Sequence, residues 1–465
     1  MSSTKWGCRV AEATFILLLL CLVATVPARG QSVSDRHPDA VHLAWFSTLP
    51  FRETPFADLV GLHPMTAEAA RERNHYRFEY DAEGRPVRVS FRLGERIRDL
   101  NTTANYYFEA PRIDIDYADG RETRHYFDRH GNRIAVNGSV FEAVFSLDSR
   151  GYRQSLRFRA IDDAPTETHW GVGLYEWTIA PDGTVHEHRE GLDGQPAPLR
   201  RGFPFHDIRL HYGPGGYLAL MENYGDGDRL TLNELNAAQD RLEFAANGDM
   251  RAWNVLDETG ARAVGNGPGV ARGQIGYDAN GLQISQHHQD AAGRPMVSDY
   301  GWGVTRSEHD RFGNVIRRSN FALDGATPLD NPRNGYSYYT YQWSENGLHQ
   351  TGLALFHADG RPALHPRGGF AERRRDHDAY GRLIEERFFD PDGLPTDRSD
   401  SGAHRIEHAY DARGRRVVTR LFDAAGSPVA HRSDGWHARH FSYHGLSGVV
   451  DRVTDEGVDM EGRQP

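Results

Sequence analysis

The chain has 465 residues, 26% of them charged and 38% hydrophobic, with 49 glycines and a formal net charge of −11. An acidic balance of this size argues against nucleic acid as a partner, because that binding rests on basic surface that neutralises phosphates. So much glycine beside moderate apolar content points to strands with one wet face and many turns.

Taken in chain order, the first element is a leader. Lys5 and Arg9 precede the apolar run Phe15 to Ala24, and Pro27-Ala28 closes it, the layout of a cleavable signal peptide over residues 1–28. The run is too short for a convincing membrane span. No later segment is apolar enough for one, so the expectation is an exported chain, periplasmic or extracellular, with no integral membrane segment after cleavage. Leu20 is too bulky a neighbour for lipid attachment at Cys21. Cys8 and Cys21 are the two cysteines and both fall in the leader, so the mature chain relies on its core without disulfides.

Residues 29–79 break the rhythm of the rest and form an N-terminal cap segment. Within it, Pro64 to Asn74 predicts a short helix, capped by Thr66 and ended by Asn74, that covers the open edge of the first repeat.

From residue 80 to 450 the chain is an internal repeat. Gly84, Gly120, Gly151, Gly183, Gly216, Gly248, Gly281, Gly313, Gly347, Gly381 and Gly414 recur at steps of 31 to 36 residues. The full phrase is Tyr410-Asp411-Ala412-Arg413-Gly414 or Tyr277-Asp278-Ala279-Asn280-Gly281. Asp at the first turn position bonds its own backbone two residues on, and glycine at the fourth takes a left-handed conformation, so each phrase reads as a hairpin tip.

A second beat places Gly293, Gly325, Gly360, Gly393 and Gly426 a little before Pro295, Pro328, Pro362, Pro395 and Pro428. Proline there fits the first residue of a strand. A third beat joins glycine to an aromatic, as in Trp170-Gly171, Gly202-Phe203, Gly301-Trp302, Gly335-Tyr336, Gly369-Phe370 and Gly435-Trp436, and Asn236 stands where one such glycine is due. Intervening segments such as Arg415 to Phe422 are of strand length and rich in β-branched and aromatic residues. Ile284, Ile316, Ile384 and Val417, three places after a tip glycine, are expected to point inward. The prediction is all-β: a tandem β-hairpin repeat array of about eleven units with roughly three strands each, an elongated or spiralling antiparallel sheet with a short N-terminal capping helix. Residues 451–465 read as a flexible tail after the degraded beat Tyr443-His444-Gly445.

The Tyr-Asp phrases resemble the repeats of bacterial RHS and YD-repeat proteins over roughly Tyr80 to Tyr443, with a longer period of about 33 residues and the added Gly-x-Pro and Gly-aromatic beats. The resemblance implies β-hairpin arrays that in large members form a spiralling shell. Phe389-Asp390-Pro391-Asp392-Gly393 echoes part of the core motif that precedes a toxin domain in RHS proteins, but it lies on an ordinary second beat.

Catalytic motifs stand out poorly from this background. His404-Arg405-Ile406-Glu407-His408 spells a zinc-protease pattern, yet the register puts it on a strand, where residues four apart are about 13 Å from each other. His186 and His188 share a strand face but have no third ligand, and His287-His288 point to opposite faces. Asp226-Gly227-Asp228 and Asp390-Pro391-Asp392 have the oxygen density of calcium loops without the full ligand set. Asn101-Thr102-Thr103 matches a glycosylation acceptor. No cofactor, metal site or catalytic residue is expected.

The candidate binding residues are Trp170, Trp302, Tyr336, Phe370 and Trp436, which recur at one repeat position and so stack in a column, either as a ladder for a glycan or extended peptide or as a core stripe. The functional expectation is an exported, non-catalytic binding or surface-scaffold module whose partner is a glycan, a cell-envelope component or a protein. The rivals are an exported hydrolase with a site built from repeat loops, the irregular stretch Arg200 to Asn236 being its candidate location, and a small shell enclosing a partner chain. Lys5 is the only lysine, so the mature chain's strongly basic groups are all arginine, read either as compositional bias or as a preference for carboxylate recognition.

Overall fold

The computed structural model describes residues 36–100, 109–200, 202–225 and 228–457. The leader, the Asn101-Thr102-Thr103 triplet and Asp226-Gly227 lie outside the described residues. Within them, 29 strands join one antiparallel sheet beside a single six-residue helix.

Each first-beat glycine marks the tip of a two-stranded hairpin, and all eleven hold positive φ. At the Arg272–Tyr277 and Gln283–Gln289 hairpin, Asp278 Oδ1 accepts the amides of Asn280 and Leu282, each at 2.9 Å. That is the self-bonding turn the spacing implies. Successive hairpins pair in sequence, so the sheet is a continuous meander. A twelfth hairpin follows: Trp436–Tyr443 pairs with Val450–Gly457 about a tip at Gly445. The stretch read as a flexible tail therefore begins as a strand. Its polar residues face water on both sides, a pattern that sequence alone does not separate from a frayed end.

The third strand expected in each unit is reduced to a two-residue strand, as at Arg96–Ile97, Pro165–Thr166 and Arg229–Leu230, or to a single bridge. Phe356 bridges Pro362, Phe389 bridges Pro395 and Phe422 bridges Pro428. The following residue then donates back to the strand, Ala363 to the Leu355 carbonyl at 2.8 Å. Proline brings no N–H to extend a ladder, and the chain lifts away into the third-beat turn. That turn keeps its left-handed residue in every unit named above, Asn236 included.

The helix forms at Ala67–Glu72, with Thr66 accepting the Ala69 amide. The open edge of the first hairpin is nevertheless covered by the strand His42–Thr48, which pairs with Asn74–Tyr80 on one side and Leu62–Met65 on the other. A strand can satisfy a row of edge N–H and C=O groups, whereas a helix spends its own internally.

The sheet coils. A main core gathers apolar residues from Leu59 to Val255 on one face, and a smaller one gathers Leu355 to Trp436 on the same face by register. Residues 50–58 lie across the first core: Arg153 donates to the carbonyls of Pro55, Phe56 and Ala57 at 3.1, 2.8 and 2.6 Å. The Phe56 ring sits 5.6 Å from Trp177 and 5.7 Å from Tyr212, and Glu53 pairs with Arg200 at 2.6 Å. Coiling then brings early loops onto late hairpin tips along a seam. His63 meets Asp249 at 2.8 Å, the Asn74 amide donates to Phe312 O at 2.8 Å, and Arg129 donates to Gly381 O at 2.6 Å. Farther along, Asn132 donates to Arg413 O and Gly448 donates to Arg133 O.

Candidate functional site

The five aromatics expected to form a column all sit at the rim of the core face, where the third-beat turns fold over it. Phe370 is 3% exposed against Phe388, and Trp436 is 7% exposed, stacked on His431 at 5.2 Å. The other three are half-buried. Trp302 lies flat on His288 at 4.1 Å, Tyr336 meets the Tyr339 edge at 6.3 Å, and Trp170 packs on the first core beside His169. The column is thus part core and part accessible rim, because each ring closes its own loop onto the hairpin beneath.

Below the rim, the core face of the later hairpins changes character. Ile284 and Ile384 lie on that face, as their positions after the tips imply, yet they are 39% and 38% exposed. Among the described residues no segment lies across this face of the later hairpins as residues 50–58 do in the first half. An open groove of about 420 Å3 lies at two of these tips, with Arg73, Leu282, Ile284, Ser307 and His309 among its lining residues.

Strand pairing places Arg318, Tyr339, Tyr341, Leu353, Arg373, Arg375 and Glu386 together on this half-open face. Arg375 Nε lies 2.9 Å from Glu386, and the Arg373 and Arg375 guanidiniums both donate to Gln350 Oε1, at 3.2 and 2.9 Å. Tyr339 and Tyr341 have ring centres 5.0 Å apart, and Arg318 lies over the Trp302 ring at 6.0 Å. Burial and the neighbouring Arg375 charge pull Arg373 down to about 10. Burial acts to raise Glu386, but His408, Arg375 and Arg373 outweigh it and hold the carboxyl at about 2. The patch is a fixed set of guanidinium forks and tyrosine rings, suited to binding. It offers no nucleophile placed beside a base.

The remaining motifs resolve into local structure. His404 donates to Phe388 O at 2.7 Å and His408 contacts Thr419 at 3.1 Å, on a strand as the register requires. His188 is clamped between Asp207 and Glu190, so both its nitrogens are engaged. His287 and His288 occupy opposite faces. Asp390 Oδ1 accepts two amides of its own turn. Among the described residues no group of three His, Cys, Asp or Glu is placed to hold a metal. The stretch from Arg200 to Asn236 contains an ordinary hairpin, Asp207–Tyr212 with Leu218–Gly225, tipped at Gly216. Sequence reasoning missed Arg318, Arg373 and Arg375. The available signal was period-two alternation, which puts arginine on the core side of two strands.

No family model matches the chain, and no curated protein sequence matches it. Among solved structures, the crystal structure of TcdB2-TccC3-TEV is similar at 12% identity over 86% of this chain and 20% of its own length, with a TM-score of 0.31. That of TcdB2-TccC3 is similar at 14% identity over 83% and 20%, with a TM-score of 0.29. The chain spans about a fifth of the length of these structures. At these values the likeness carries no argument, and the tandem hairpin fold stands on the strand pairing itself.

Proposed function

We propose that this chain is an exported, non-catalytic repeat scaffold, similar in its repeats to RHS proteins, that binds an extended ligand along the half-open core face of its later hairpins. The carrying observation is an asymmetry. Residues 50–58 and a dense core fill the concave side of the first hairpins, whereas the same face farther along keeps rings and guanidiniums half-exposed. The filled side argues against enclosure of a partner there. A glycan, an envelope component or a protein would meet several units at once, so affinity is spread over many side chains.

A glycan and cell-envelope array with the purified mature chain tests this. Alanine at Tyr339 or Trp302 should each weaken binding about 3- to 30-fold. Alanine at His186, His188, His404 or His408, and added EDTA, should leave binding within about twofold. Total loss from any one histidine variant or from EDTA would replace the scaffold with an enzyme or metal-site reading. N-terminal sequencing of the native protein should begin near Arg29 to Gln31, and an intact Met1 would remove the export step.

A further inference from the structure

Resting on the ligand face just proposed, we infer that the ligand is a carboxylated polysaccharide gripped by Arg318, Arg373 and Arg375. The chain is acidic overall, at −11, but this face is not. On the core side of the strands from Arg272–Tyr277 through Arg416–Phe422, the side chains other than histidine that carry charge are Arg318, Arg373, Arg375 and Glu386. The opposite side of the same strands interleaves both signs, as at Glu372, Arg374, Asp376, Glu385, Arg387, Arg405 and Glu407, many of them paired. One face is compensated and the other is left with more guanidinium than carboxylate.

Glu386 accounts for one charge and braces Arg373 and Arg375 in place, 3.7 and 2.9 Å away. Arg373 Nε is enclosed yet has no hydrogen-bond acceptor in this arrangement. Arg318 stands three strands away, on Val315–Phe321 against Glu372–His377, a separation of about 14 Å at sheet spacing. One small anion cannot satisfy both ends, so the match is a polymer bearing repeated carboxylates. Between the ends lie Tyr339 and Tyr341, with Trp302 and Tyr336 at the rim, half-exposed rings of the kind that pack against a pyranose.

The choice of a glycan over a peptide follows from the backbone. A peptide that binds by adding a strand needs an open sheet edge, and here the strands of the patch are paired on both sides. Sugar rings and carboxylates need only what the side chains offer, stacking and bidentate forks.

The test uses the full mature chain with polygalacturonate oligomers, the same oligomers methyl-esterified, and poly-glutamate, followed by calorimetry at two salt concentrations. Polygalacturonate should bind at least about tenfold more tightly than the ester, with the gap narrowing at high salt as the charges are screened. Arg318→Gln and Arg373→Gln should each weaken binding about 5- to 20-fold at unchanged melting temperature. Arg420→Gln, exposed on the opposite side, should not. Equal binding of acid and ester would overturn the carboxylate inference while leaving the glycan face in place. Poly-glutamate bound as tightly, with the same arginine dependence, would overturn it in favour of an acidic peptide. Binding to none of the three, combined with a negative array, would sink the ligand face itself.

Discussion

At the scale of single residues, the repeated glycines are alike in conformation and different in surroundings. Gly381 and Gly393 hold φ of +75° and +77°, but a side chain at Gly381 would lie 2.2 Å from the His349 ring, while at Gly393 it meets open space. Asparagine tolerates left-handed backbone better than most residues, so Gly393→Asn should cost less than about 1 kcal/mol. Gly381→Asn adds a collision to the strain and should cost about 1–3 kcal/mol, with Gly381→Val at least as much. Thermal melts of the three variants check the order. Equal melting temperatures for the two asparagine variants would mean that the tip does not pack as described. The arginine-only composition also acquires local content: Arg374 lies over Phe389 at 4.1 Å, Arg405 over Phe422 at 4.2 Å and Arg317 over Tyr338 at 3.8 Å. Lysine has no planar fork to stack in this way.

At the scale of elements, the seam between early loops and late tips is pinned by Arg98. This buried side chain donates from Nη1 to Asn74 Oδ1 at 2.6 Å, Asn314 Oδ1 at 2.9 Å and Gly347 O at 3.2 Å, and it lies 5.2 Å from the centre of the Trp343 ring. Arg98→Ala removes a charged donor and takes the Arg98 bond from buried Asn74 Oδ1, whereas Asn314 Oδ1 and Gly347 O keep the Asn74 and Asn314 amides. It should therefore destabilise by about 2–3 kcal/mol and change Trp343 fluorescence. Arg98→Lys should recover only part of this. Chemical denaturation checks it, and an alanine variant as stable as wild type would show that the seam contributes nothing. The sequence made the hairpins legible because each is a local object with its own turn and period. It did not disclose the seam, whose partners are separated by 186 to 315 positions, nor the twelfth hairpin, whose exposed strand has no apolar face.

At the scale of the whole molecule, packing between elements buries histidines that an isolated hairpin would leave wet, His288 beneath the Trp302 ring and His349 at the seam. His75, His288 and His349 are each pulled down to about 4, chiefly by burial. In the unfolded chain they titrate near 6.5. The unfolded state therefore takes up protons first as pH falls. The stability tied to the neutral rings is complete above about 6.5 and is lost progressively toward about 4. The three rings alone would lower the melting temperature between about pH 6.5 and 4.5. Glu109, whose carboxyl burial raises to about 7, gains a proton in the folded state over the same range and opposes them. The rings' share is therefore read from His349→Gln, which should lose less stability over that interval than wild type. Identical pH profiles for wild type and His349→Gln would contradict the buried, neutral state of that ring.

What the sequence determined by itself was the unit: where chains turn, which residues take positive φ, that Thr66 begins a helix and that strands alternate two faces. Those properties depend on neighbours within a few positions. The tertiary structure alone decided which half of the common face is filled, by residues 50–58 and the first core, and which half stays open with Arg318, Arg373 and Arg375 on it. It also decided that Phe370 and Trp436 are core while Trp302 and Tyr336 remain accessible. The reason is geometric. Equivalent positions in successive repeats carry the same local instructions, but the coil gives each one a different companion from a distant part of the chain, and burial is set by the companion.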